Sequence, residues 1–144
     1  MKPEKKLWKW LSGLVPGGHY SRIESGATAP GFPDVPYTVS GFSGTIELKA
    51  NPKTSEIPFP DQKKGLHLSQ RVWIKEELLA GGTVWIIAQS GDLIFIIPGS
   101  EWQNFNGSTR MELADMSTYV LNKKTDDYGY MTDVMRMTLM RKKK

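Results

Sequence analysis

Three side chains in the first third of the chain have types and a spacing that could do chemistry. Asp34 follows Pro33 at the head of a short apolar run, and Glu47 and Lys49 stand two apart inside the next one, "GTIELKA". Side chains alternate along a strand, so Glu47 and Lys49 share one face, roughly 7 Å apart, while Ile46, Leu48 and Ala50 share the other. Ile46 and Leu48 are ordinary core residues. Charges on a half-covered face cost free energy unless they are paired or bound to something. Gly41-Phe42-Ser43-Gly44 joins the two runs as a hairpin connection, which brings Asp34 beside Glu47. Two adjacent carboxylates repel, and a divalent cation removes that repulsion. Oxygen donors in a chain with no cysteine and two histidines indicate Mg2+ or Mn2+. A neighbouring ammonium can polarise a water and offset the charge of a phosphate. Carboxylates, metal and lysine together are the parts needed to hydrolyse a phosphodiester. Taken alone, a Glu and a Lys two apart on a strand are more often a solvated pair on an exposed face.

The elements that must hold these groups follow from periodicity and punctuation. Lys2 to Leu14 reads as a helix: Pro3 suits its first turn, Leu7, Trp8, Leu11 and Leu14 recur at helical spacing, and Pro16-Gly17-Gly18 stops it. His19 to Ser25 reads as a strand and Gly26 to Pro33 as a loop. Val35–Val39 and Thr45–Ala50 are the two hairpin strands. Asn51 to Leu68, with three prolines, Lys53, Lys63 and Lys64, is an irregular basic loop too long to be a mere connection. Ser69 to Ala80 is the clearest helix, capped by Ser69 and ended by Gly81-Gly82. "TVWIIAQ" and "LIFIIP" are apolar strands around Ser90-Gly91-Asp92, of the kind found in a sheet covered on at least one face. Met111–Leu121 and Met131–Leu139 carry helical stripes. The expectation is a single-domain α/β fold, a mixed central sheet flanked by helices. Its core spans about 20–98, with a helical C-terminal extension over about 108–144.

At 144 residues the chain is long enough for a sizeable core, and its 39% hydrophobic and 24% charged content is that of a globular protein. The absence of cysteine excludes disulfides and thiolate metal sites and fits a reducing cytoplasm. No apolar run approaches the roughly 20 residues that span a bilayer, so no membrane partner is expected. The first apolar stretch is too short for the core of a signal peptide. Residues 1–20 carry +3 and residues 141–144 carry +4, which leaves −3 between them in a chain of net charge +4. Basic ends suit a polyanion such as nucleic acid, although a four-residue basic tail also serves solubility.

Pro33-Asp34, then Glu47-Leu48-Lys49 on the following strand, then "HLSQRVWIKEELLAGGTVWII" with a Gln early in the next helix, resemble the PD-(D/E)xK nuclease superfamily. The arrangement is most similar to the virus-type replication-repair nuclease branch, whose core is shared with archaeal Holliday-junction resolvases. The resemblance covers roughly Arg22 to Ile97, and residues after Pro98 match nothing in it. It implies a restriction-endonuclease-like core and a Mg2+- or Mn2+-dependent DNA endonuclease, structure-selective for branched DNA and homodimeric. It also implies a phage-encoded origin and a place in the host cytoplasm. Asp34 and Glu47 would be metal ligands, with the backbone carbonyl of Leu48 as a third. Lys49 would position the attacking water, and Gln70 would hold Lys49 or the metal-bound water from the helix. The upstream acidic residue of the family falls on Glu24, in "RIESG", or on Glu4 in the first helix, where the resolvases place theirs. Arg22, Lys53, Lys63, Lys64, Arg141, Lys142, Lys143 and Lys144 are the candidate DNA contacts. Arg22 could instead pair with Glu24, Gln70 could be a plain surface residue, and His67 reads as a loop residue. With no recognition domain attached, phosphate contacts and DNA shape rather than base readout would select the substrate. A nickase or general DNA-processing nuclease is the nearest alternative, and a non-catalytic nucleic-acid-binding protein is the alternative from another class.

Overall fold

A computed structural model of the chain describes residues 2–21 and 35–141. Arg22, Glu24, Asp34 and Lys142–Lys144 lie outside the described residues. Helix α1 (Pro3–Ser12) is followed by strands β1 (His19–Tyr20), β2 (Val35–Val39) and β3 (Phe42–Asn51), then by α2 (Leu68–Leu79), β4 (Val84–Ser90) and β5 (Leu93–Pro98). A short 3-10 turn and helix α3 (Trp102–Phe105), α4 (Arg110–Met116), β6 (Tyr119–Asn122) and α5 (Tyr128–Leu139) complete it. The six strands form one sheet in chain order. Only β3 and β4 pair in parallel, and they are the pair separated by a loop and a helix long enough for a crossover. The other neighbours are antiparallel, which makes the sheet mixed, as expected.

Both faces of the sheet are covered. On one, Leu7 and Leu11 of α1 and Met131, Val134, Met135 and Leu139 of α5 pack on Val35, Ile46, Leu48, Ile87, Ile94 and Ile96. On the other, Ile74 of α2, Phe105 of α3 and Leu113 of α4 pack on Val84, Ile86, Ala88, Phe95 and Ile97. The Met stripe near the C-terminus is therefore core filling at Met131 and Met135, while Met111 and Met137 stay exposed. The continuous apolar character of "WIIA" and "IFII" follows from this two-sided burial.

Three local expectations are revised. The hairpin connection is tighter than Gly41–Gly44: Ser40 (φ 51°) and Gly41 (φ 85°) alone make the turn, and Phe42 to Gly44 already pair with β2. Two left-handed residues match the twist of the flanking strands. The helix expected to reach Leu121 ends at Met116. Ser117 turns extended and its hydroxyl donates to the Leu113 carbonyl, and Thr118 N–H donates to Ile96. The following Tyr119-Val120 has strand propensity and joins β5 as β6. Finally, α2 is capped at His67, not Ser69.

Candidate functional site

Strand β3 sorts its side chains as the alternation requires. Ile46 and Leu48 enter the α1/α5 core, and Glu47 and Lys49 point at α2. Both charged residues are buried, Glu47 at 1% and Lys49 at 8% relative exposure. That rules out the solvated-pair reading. The lysine Nζ lies 3.4 Å from Glu47 Oε2. Each ion loses several kcal/mol of hydration on burial, by roughly the effective penalty known for protein interiors, so the arrangement persists only with further hydrogen bonds.

Gln70 supplies them from α2. Its Oε1 accepts from Lys49 Nζ at 3.0 Å, and its Nε2 donates to Glu47 Oε2 at 3.1 Å. The same Oε1 accepts from the His67 backbone N–H at 2.9 Å, as the third residue of the helix closing back on the cap. One amide thus ends a helix, holds an ammonium and holds a carboxylate. Only an amide can do this, since it offers an acceptor and donors on one planar group. Gln70 thus lies against Lys49, where the resemblance implies it, and it closes the cap of α2 at His67 rather than leaving that role to Ser69.

A second carboxylate reaches β3 from the opposite side. Glu4, in the first turn of α1, accepts from the Ala50 N–H through Oε2 at 3.3 Å. Along a strand, alternate residues direct their backbone groups to the same edge. Thr45 N–H donates to Thr83 O on the β4 side, so the odd-numbered residues of β3 direct their backbone groups to β4 and the even-numbered ones to β2. Leu48 and Ala50 therefore present their backbone groups to the edge where the Glu4 carboxylate lies. Glu24, the other candidate for the upstream acid, lies outside the described residues, as does Asp34. Among the described residues no three His, Cys, Asp or Glu side chains converge.

The loop from Pro52 to His67 is not slack. Asn106 brackets it, accepting from Leu66 N–H at 2.8 Å and donating to Leu66 O at 2.9 Å. Phe59 is buried and stacks on Phe105 at 5.1 Å, and Asp61 Oδ1 accepts from the backbone of Lys63 and Lys64. Lys53, Lys63 and Lys64 are exposed on it, and Arg141 is exposed just past α5. None of the four lies in the buried cluster.

The fold and site together define an α/β protein with a mixed sheet and a buried Glu–Lys–Gln cluster at the junction of β3 and α2. No protein-family model matches the chain, and no curated protein matches it. Among solved structures it is similar to Hjc, a Holliday junction resolvase from the archaeal hyperthermophile Archaeoglobus fulgidus. The TM-score is 0.49 at 13% identity, over 92% of this chain and 96% of that one. The fold class stands on the sheet itself, and a likeness this slight bears on neither substrate nor mechanism. Among the described residues no helix is long and apolar enough to cross a membrane.

Proposed function

We propose that the protein is a divalent-metal-dependent DNA endonuclease that cuts phosphodiester bonds, with preference for branched DNA. The observation that supports this reading is the burial of Glu47 and Lys49 against Gln70 on one strand face. A nucleic-acid-binding protein without catalysis has no use for a buried carboxylate and ammonium, which cost stability wherever they are not needed.

The donor set fits Mg2+ or Mn2+: carboxylates and a backbone carbonyl, with no thiolate and no converging histidines among the described residues. Glu47, the Leu48 carbonyl and Asp34 would hold the metal. Asp34 stands one residue before Val35, whose partner is Ile46. Glu4 would serve as the upstream acid, a reading supported by its carboxylate accepting from the Ala50 N–H at the edge of β3. A bound metal would supply charge neutralisation at the scissile phosphate. The chain's own part is orientation. Gln70 restricts the rotamers of Lys49 and Glu47, and Lys49 Nζ holds the attacking water with the donors that Gln70 and Glu47 leave to it. Phosphate contacts come from the exposed Lys53, Lys63 and Lys64 and from Arg22 and the 141–144 tail.

Incubating the purified protein with supercoiled plasmid, a linear duplex and a four-way junction, each with Mg2+, Mn2+ or EDTA, tests the reading. The expected result is metal-dependent cleavage, fastest on the junction. Binding without cleavage under any metal would support the non-catalytic alternative, and equal cleavage of all three DNAs would support a general nuclease.

A further inference from the structure

Helix α1 carries charge on the side away from the core. At 100° per residue, Lys5, Lys6 and Lys9 project within about 100° of one another. All three are exposed, while Leu7 and Leu11 on the opposite side are 0% and 3% exposed. The helix starts beside the site, since Glu4 reaches Ala50 near the end of β3. It ends near the turn after β6, where Lys123 Nζ lies 5.3 Å over the Trp10 ring.

These points belong to one end of the sheet. Strand β3 is parallel to β4, and β4, β5 and β6 alternate in direction, so β3, β4 and β6 finish together. Two backbone bonds tie the finish: Gly91 N–H to Asn51 O, and Lys123 N–H to Asp92 O. The exposed Lys124 adds a further cation there. Several acids of this end are turned to backbone N–H groups: Glu4 to Ala50, Asp126 to Asn122, Asp127 to Tyr130. Asp92 is exposed. Among the described residues none of Lys5, Lys6, Lys9, Lys123 and Lys124 has an acidic partner within ion-pair distance.

We infer that α1 and the β6–α5 turn form a phosphate-contacting ridge, along which a nucleic-acid backbone lies across the end of the sheet where β3, and with it the Glu47–Lys49–Gln70 cluster, finishes. This rests on the nucleic-acid reading of that cluster. An anionic membrane is the other surface that attracts lysines beside tryptophan. It fits less well, because the apolar side of α1 is already spent in the core and cannot insert into lipid.

The test is binding of a fluorescent 30-base-pair duplex and a four-way junction, in EDTA, across a salt series. The proteins compared are wild type, Lys5/Lys6/Lys9→Ala, Lys5/Lys6/Lys9→Arg, Lys123/Lys124→Ala, and Lys75→Ala on the outer side of α2. Each lost phosphate contact lowers the log–log salt slope by about 0.9. The α1 alanine variant is expected to lose about two to three from the slope and at least roughly tenfold in affinity. Lys123/Lys124→Ala should lose one to two from the slope, while the arginine variant and Lys75→Ala keep the wild-type slope. An unchanged slope in a folded α1 alanine variant overturns the ridge. So does α1-dependent binding to phosphatidylserine vesicles with DNA binding unaffected. If the wild type binds through α1 but cleaves nothing with Mg2+ or Mn2+, the ridge stands and the nuclease reading falls.

Discussion

The residue on which the site turns is Gln70, because two of its bonds go to opposite charges. Its carbonyl takes Lys49 Nζ and its amide gives to Glu47. Gln70→Glu keeps the acceptor for the ammonium and the cap but sets a carboxylate against a carboxylate. Like charges at that distance favour taking up a proton. The variant is therefore expected to be less stable than wild type at pH 8, by about 1–3 kcal/mol, and to recover most of the difference at pH 5. Urea denaturation at the two pH values measures it, and a pH-independent difference would mean the two groups are not in contact. Gln70→Ala removes the cap as well. It should lower stability at both pH values by about 1–2 kcal/mol and slow any cleavage about 10- to 100-fold. At this scale the sequence was informative. The one-residue spacing of Glu47 and Lys49 put them on one face, and the position of Gln70 put it over them. What it could not show was burial. A Glu and a Lys two apart look alike whether a helix covers them or not, and the cover depends on where the crossover lands.

At the scale of elements, the loop between β3 and α2 is positioned by a residue 40 positions away. Asn106 binds both backbone groups of the buried Leu66. Asn106→Ala should cost about 2–4 kcal/mol, since a buried donor and a buried acceptor lose their partners together. It should also weaken the His67–Gln70 cap that follows directly. Thermal denaturation with a cleavage assay checks both, and normal stability would show that the loop holds itself. Such a clamp is not legible in sequence, because nothing local marks Asn106. The strands β2, β4 and β5 were legible from their apolar runs. Strand β6 was hidden because Leu113, Met116 and Val120 imitate helical spacing, and the tertiary pairing of Thr118 to Ile96 overrode it.

For the molecule as a whole, the first strand pair responds to alkali in a way set by burial. Tyr37 is 3% exposed, and desolvation pushes its hydroxyl from 10.0 up to about 12. A folded pKa above the unfolded one leaves stability intact below pH 10 and removes it as pH rises towards 12. The loss from this group is about 2–3 kcal/mol. Tyr37→Phe should show a correspondingly smaller fall in stability between pH 9 and pH 12, and an equal fall would mean the hydroxyl titrates freely. Charge at this scale was visible in the chain as basic ends around an acidic middle. Its arrangement on α1, with lysines outward and Glu4 turned to β3, needed the fold.

The central claim is that the buried pair on β3 hydrolyses phosphodiesters. Its most direct measurement is single-turnover cleavage of a labelled four-way junction with Mg2+, comparing wild type with Glu47→Gln. The substitution keeps the shape and one acceptor oxygen for Gln70 and Lys49, while it removes the charge and turns the other oxygen into a donor. The predicted result is a loss of at least about a thousandfold in rate, with junction binding in EDTA retained and a far-ultraviolet circular dichroism spectrum like the wild type's. Cleavage by a folded Glu47→Gln at the wild-type rate would contradict the account.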